Sequence, residues 1–231
     1  MTRKILLSIL FALFFSISSH AQECLGYALK AGSGFEMNSM DGKGKLIGTM
    51  TYKITNVAKE GASTVITVEF ESINTKGKSE LKNTYKMHCD GNALTLDASS
   101  LINPEQMKSF ENFKMKYTAE DIVYPARLSV GEKLKDASLK GEGISGPMTV
   151  IFNMLITNRK VESQEKVTTP AGTYDAYKIT SDMNMETKMG FGIKMDLQTV
   201  SYRTPSIIWD IKSETYRKGK LMGTMELTKV Y

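Results

Sequence analysis

Residues 147–180, PMTVIFNMLITNRKVESQEKVTTPAGTYDAYKIT, decide the fold. Met148, Val150, Phe152, Met154 and Ile156 fall at every second position with mostly polar residues between them, the period of a strand with one face in a core. Thr168-Thr169-Pro170-Ala171-Gly172 then turns the chain, because proline presets φ for a turn and glycine accepts φ > 0. Residues 166–169 and 173–180 are therefore expected to pair as an antiparallel hairpin.

The same period recurs upstream. After a glycine-rich lead, 35–40 is a candidate strand followed by the turn Asp41-Gly42-Lys43-Gly44; Met50, Tyr52 and Ile54 then share one parity, and Ile66, Val68 and Phe70 the next. Thr75-Lys76-Gly77-Lys78 turns the chain again before Tyr85, Met87 and Cys89, and Asp90-Gly91-Asn92 leads into Leu94 and Leu96. This is an antiparallel meander of about five strands. One helix is expected to interrupt it: Asn103 can cap, Pro104 suits the first helical position, and Met107, Phe110 and Phe113 mark an apolar side. Residues 125–131 read as a loop crossing between two portions of the sheet. Downstream, Met183, Met185, Met189 and Met195 flank Gly190-Phe191-Gly192, Val200 and Tyr202 continue the alternation, Ile207, Trp209 and Ile211 follow, and residues 225–231 form a last strand. The octapeptides 43–50 and 218–225 differ at one position of eight, and Lys76-Gly77-Lys78 repeats their turn; reuse of one turn type is the simpler reading, with a duplicated half-fold as the alternative.

Arg3 and Lys4, the apolar run 5–17 and Ser19-His20-Ala21 have the layout of a secretory signal peptide cleaved after Ala21, leaving residues 22–231 as one exported β-rich domain. The apolar run is short of the roughly 20 residues a membrane-spanning helix needs, and Gln22 and Glu23 separate the cleavage point from Cys24, which disfavours lipid anchoring there. Loss of the two basic residues in that segment lowers the formal charge from +5 to +3, too small an excess to suggest a nucleic-acid partner. Cys24 and Cys89 form an even pair in a compartment that permits disulfides; the alternative is a buried free Cys89 and a frayed Cys24.

Catalytic motifs fail on context. Gly141-Glu142-Gly143-Ile144-Ser145-Gly146 matches a dinucleotide fingerprint, but a period-2 strand rather than a helix follows it, so it reads as a flexible loop. His88 is the sole histidine left after cleavage and has outward parity, and no carboxylate pair stands out, so neither catalytic residues nor a cofactor are expected. Met183 and Met185 could offer thioethers to Cu(I), yet alternating methionines more often line a core or cavity, and no metal site is assigned.

The stretch Thr169-Pro170-Ala171-Gly172-Thr173-Tyr174-Asp175-Ala176-Tyr177-Lys178-Ile179 resembles a hairpin of the TapB-like families of bacterial exported domains of unknown function. Residues 125–131 with Leu134 and Asp136, and 209–227 with Ile211-Lys212-Ser213-Glu214, agree with it, although Trp209-Asp210-Ile211-Lys212 stands where those proteins commonly have a glycine before a valine-lysine pair. The resemblance implies a signal peptide, a curved antiparallel sheet and a Gram-negative envelope location, and it brings no catalytic residues.

The expectation is a mainly β fold, a curved antiparallel sheet or half-open barrel with one short helix over its concave face. A non-enzymatic envelope protein that takes up a lipid or another apolar small molecule would line its interior with Met50, Tyr52, Phe70, Met148, Phe152 and Met154. The competing expectation is a surface scaffold in which those residues form a closed core and an exposed edge strand recognises an envelope protein.

Overall fold

The alternation around residues 147–180 becomes the longest hairpin of the molecule. The computed structural model describes residues 22–101, 114–145 and 148–231. The expected signal peptide and the helix expected near residues 103–113 lie outside the described residues, as does Pro147.

Two short strands, β1 (Gln22–Cys24) and β2 (Tyr27–Leu29), form a separate hairpin. The meander follows as β3 (Gly34–Asp41), β4 (Leu46–Glu60), β5 (Ser63–Asn74), β6 (Ser79–Cys89) and β7 (Ala93–Leu96). A 3-10 turn at Ala98–Leu101 is the one helical element among the described residues. The second half comprises β8 (Lys114–Glu120), β9 (Ile122–Pro125), β10 (Ala137–Ser145), β11 (Met148–Thr169), β12 (Gly172–Met189), β13 (Phe191–Arg203), β14 (Asp210–Arg217) and β15 (Lys220–Val230). Strands β3–β15 make one 13-stranded antiparallel sheet in the order β8-β10-β11-β12-β13-β14-β15-β3-β4-β5-β6-β7-β9. Its two edges, β8 and β9, are neighbours in sequence with Asp121 alone between them, so the sheet curls until its edges meet at a corner. The result is a nearly closed barrel.

Bulges supply the curvature. Register shifts interrupt the ladders at Ile54/Asn56, Thr157/Lys160, Val161/Ser163, Tyr202/Arg203 and Leu227/Lys229, and each extra residue bends its strand and increases local twist. A bulge also changes which parity faces inward. In β4, Tyr52 and Ile54 are buried before the shift, whereas Val57 packs on the core after it.

Half of the interior is filled. Phe35, Met37, Tyr52, Ile54, Ile66, Val68, Tyr85 and Met87 from the meander pack against Ile211 and Leu227, and Ile207 and Ile208 enter from the loop before β14. Trp209 in that loop sits 5.5 Å, centroid to centroid, from both Tyr52 and Tyr85, and Phe35 stacks on Tyr52 at 4.6 Å. Such ring pairs add about 0.5–1.5 kcal/mol each beyond the area they bury. The β11–β12 hairpin is far longer than residues 166–180 suggest, and its tip reaches β15, where Ala171 N–H donates to the Leu227 carbonyl at 3.3 Å.

Cys24 and Cys89 are bridged, with Cα atoms 5.8 Å apart and both side chains buried, which ties the β1–β2 hairpin to β6. Two sequence expectations need correction. Residues 141–145, expected as a flexible loop, are part of β10, with Gly141 opposite Phe152 and Gly143 opposite Val150; a glycine in a strand leaves space that a large neighbour can cover. The repeated lysine-glycine turns are of two kinds. At Asp41 and Asn74 a side-chain oxygen accepts N–H bonds from the second and fourth residues that follow, whereas Lys218-Gly219 is a two-residue turn with both φ positive.

Candidate functional site

The unfilled half of the barrel is walled mainly by β11–β14, with β6, β7 and β9 closing the opposite side. Its apolar side comes from the alternation of β11 and β12: Met154 pairs in register with Met185 and that residue with Met195, while Ile156 pairs with Met183 and that residue with Leu197. The same face continues toward the hairpin ends through Phe152 and Ile193 to Phe191, and Ile193 and Phe191 are exposed. Further along, the inward residues become hydroxylic. Ser181 lies beside Thr199 with their oxygens 2.7 Å apart, Thr199 is opposite Thr215, and Ser201 is opposite Ser213.

A bulge brings charge inside. If the parity of Met148 to Ile156 continued, Asn158 and Lys160 would face in and Arg159 out. Instead Asn158 adopts φ 52°, which asparagine tolerates better than most residues, and the register shifts between Thr157 and Lys160. Arg159 is consequently 3% exposed. Its Nη1 donates to the backbone carbonyls of Val123 and Lys135, and its Nη2 is buried without a hydrogen-bond partner among the described residues. Arg203, also buried, donates from Nη1 to Asp210 Oδ1 at 2.9 Å and from Nη2 to the Ile208 carbonyl at 3.0 Å. The Tyr124 ring faces both guanidinium groups, 3.8 Å from Arg203 Cζ and 4.8 Å from Arg159 Cζ, a favourable arrangement for a ring with a negative face. Burial pushes the Asp210 carboxyl above its ordinary range, opposed by Arg203. Burial likewise raises the phenols of Tyr52 and Tyr85 well above theirs.

These groups line a partly open cavity of about 370 Å³. Met87, Leu96, Ile122, Met154, Ile156 and Met183 give it an apolar side; Ser181, Thr199, Ser201, Ser213 and Thr215 give it a hydroxyl side; Arg159, Arg203, Asp210 and Trp209 complete it. Beyond Tyr124 and Arg203, which line both spaces, a second cavity of about 360 Å³ is bounded by Leu25, Tyr27, Leu128, Tyr177 and Thr204. A larger recess of about 610 Å³ lies on the outward face, where Asn158 bonds Asp182 at 2.7 Å and Asn184 bonds Asp196 at 2.8 Å. Lys194, which also lines it, reaches Glu186 at 3.2 Å.

Of the six residues expected to line an interior site, Met154 is on the cavity wall. Phe152 is half-buried on the same face, and Met148 is exposed at the end of β11. Tyr52 is buried in the packed half, and Met50 and Phe70 pack against it, because Trp209 takes up the space that the curved meander would otherwise enclose. Met183 lines the cavity and Met185 lies on the same wall. His88 is half-buried on β6 between Val65 and Thr95. Among the described residues there is no group of three or more His, Cys, Asp or Glu side chains placed to hold a metal. Arg159, Arg203 and Asp210 were not indicated by alternation, since two of the three lie at register shifts and the third begins β14. The legible sign was the polar run Thr157-Asn158-Arg159-Lys160 breaking an otherwise apolar strand face.

A family model described as DUF3108-like matches residues 30–227. Among solved structures, the chain resembles one from Bacteroides fragilis described as a candidate exported protein with a YmcC-like fold. The TM-score is 0.66 at 17% identity, with 87% of this chain and 96% of that one covered. It also resembles a candidate lipoprotein from Parabacteroides distasonis, with TM-score 0.68 at 20% identity, covering 91% of this chain and all of that one (100%). At these identities the likenesses show the fold alone. Comparison with curated proteins gives no match.

Proposed function

The chain belongs to the DUF3108-like family, and from that membership and the half-filled barrel we propose that it is a non-enzymatic envelope protein that holds a single-chain amphipathic molecule inside its sheet. The observation that carries this is the cavity of about 370 Å³ with an apolar and a hydroxyl side, within the roughly 300–1,000 Å³ typical of small-molecule sites. A methionine-rich wall adapts to an alkyl chain at little cost, because thioether side chains are unbranched and polarisable. The same face runs out to exposed Ile193 and Phe191, which offers an apolar path toward the rim.

Export is supported by the leader-like residues 1–21, by the Cys24–Cys89 bridge and by the descriptions of the two similar structures. The narrower resemblance to the TapB-like families rests on the 169–179 hairpin and its two companion stretches. The two end strands of the sheet, β8 and β9, have only seven and four residues, which makes recognition of an envelope protein through them the less supported reading.

Trp209 is the only tryptophan and lines the cavity, so its emission reports occupancy directly. Titration with 1-dodecanol, a neutral probe, is expected to give a saturable change that Thr199→Phe, which fills the cavity, abolishes. No saturable change in the wild-type protein with 1-dodecanol, nor with dodecanoate in its place, would remove the proposal.

A further inference from the structure

The cavity contains a cation that its own walls do not satisfy. Arg159 is 3% exposed, and its Nη2 carries two N–H groups with no acceptor among the described residues. Buried polar groups are almost always paired, and an unpaired one costs its full desolvation penalty. The neighbouring charges do not remove the deficit. Asp210 is the one carboxylate on the cavity wall, and it is engaged by Arg203 at 2.9 Å, whereas Arg159 and Arg203 are both cations. With Asp210 ionised the wall carries one net positive charge. Arg159 is also held rather than free to swing, since Nη1 is fixed by the carbonyls of Val123 and Lys135 and the guanidinium lies 4.8 Å from the Tyr124 ring centre. With Nη1 held by two carbonyls and Nη2 buried without an acceptor, an oxygen that reaches Nη2 from the cavity would meet two unpaired N–H groups.

Resting on the interior-carrier reading above, we propose that the bound amphiphile has an anionic head, a carboxylate or a phosphate monoester, and that Arg159 Nη2 recognises it. The head lies beside Arg159, within reach of the hydroxyl side of the cavity, and the alkyl chain follows Ile156, Met154 and Met183 toward the rim. Arg203 and Asp210 form the neighbouring wall and hold each other, so they contribute rigidity rather than a free charge. Neutral lipids of the same chain length offer Arg159 only an uncharged acceptor, a weaker partner than an anion, and bind less well.

The experiment compares dodecanoate, dodecyl phosphate, methyl dodecanoate and 1-dodecanol on the full chain, read by Trp209 emission, in wild type and in Arg159→Met. A charge-assisted hydrogen bond in a buried site is expected to favour at least one anion over the neutral probes by about tenfold or more in Kd. Which anion is preferred identifies the head. In Arg159→Met that ratio is expected to fall to about one, whereas a purely structural role for Arg159 would weaken all four probes alike and leave the ratio unchanged. Equal binding of anionic and neutral probes by the wild type overturns the assignment and leaves the carrier reading standing; so does a preference that survives Arg159→Met. Binding of none of the four overturns both. Should Arg159→Met fail to fold, the wild-type comparison of dodecanoate with its methyl ester decides: no preference for the acid sinks the proposal.

Discussion

Removing the Cys24–Cys89 bridge is the perturbation whose size can be worked out most directly. The two residues are 65 apart in sequence, and in the chain-entropy model closing a loop of that length takes about 4 kcal/mol from the unfolded state at 25 °C. The double variant Cys24→Ala/Cys89→Ala gives back that entropy and loses little packing, since both side chains are small and buried. For a domain of this size 4 kcal/mol corresponds to a Tm lower by roughly 8–16 °C. Urea unfolding followed by Trp209 emission measures the free energy, and the denaturant slope is expected to rise because the unlinked unfolded chain exposes more surface. The loss should begin locally. Tyr27 donates to the Thr204 carbonyl at 3.3 Å from the tethered hairpin, so amide exchange in β1 and β2 should accelerate before exchange in β4 and β5 does. A stability change below about 1 kcal/mol would refute the reasoning, and so would an unchanged exchange pattern in β1 and β2.

Three other perturbations test separate parts of the structure. A Cβ on Gly34 would lie 2.2 Å from the Tyr52 carbonyl oxygen, whereas one on Gly192 meets nothing within 4 Å; in urea unfolding Gly34→Ala is expected to lose at least about 1–3 kcal/mol and Gly192→Ala almost nothing. Asp210→Asn or Arg203→Met alone leaves a partner stranded in the interior and is expected to cost about 3–5 kcal/mol by the same assay, while the pair Arg203→Met/Asp210→Leu should cost less than either. The carboxyls of Asp41 and Asp90 are held below their ordinary range by backbone N–H donors, from Lys45 and Lys43 and from Asn92 and Ala93. A lowered folded-state pKa contributes stability that is present above the unfolded value of 3.8 and lost as pH falls through the folded one. Thermal unfolding between pH 5 and 2 should therefore fall less steeply in Asp41→Asn/Asp90→Asn than in wild type, and equal slopes would contradict it.

The faces of the strands were legible wherever the alternation ran unbroken. Tyr85, Met87 and Cys89 are buried as their parity requires, and the turns at Asp41, Asn74 and Lys218 fall where glycine and lysine mark them. Partners were less legible than faces. Periodicity says which side of a strand is apolar, but not that β8 and β9, one residue apart, would run to opposite edges of the sheet. Bulges hid the site itself: a single αL residue, Asn158, reverses the parity that follows it and turns Arg159 inward. Gly141 and Gly143 looked like loop residues because glycine is rare in strands, yet here each stands opposite a larger side chain on β11. Trp209 was readable as apolar but not as the residue that fills the curve of the meander, since it comes from a connection rather than a strand.

Whether the open half of the barrel carries a guest is tested most directly by native mass spectrometry of the protein taken from its own envelope without detergent exchange. The expected spectrum has a mass increment that matches a single-chain amphiphile, lost on solvent extraction and absent from Thr199→Phe. A bare polypeptide mass from every preparation, with Trp209 emission indifferent to added amphiphiles, would contradict it.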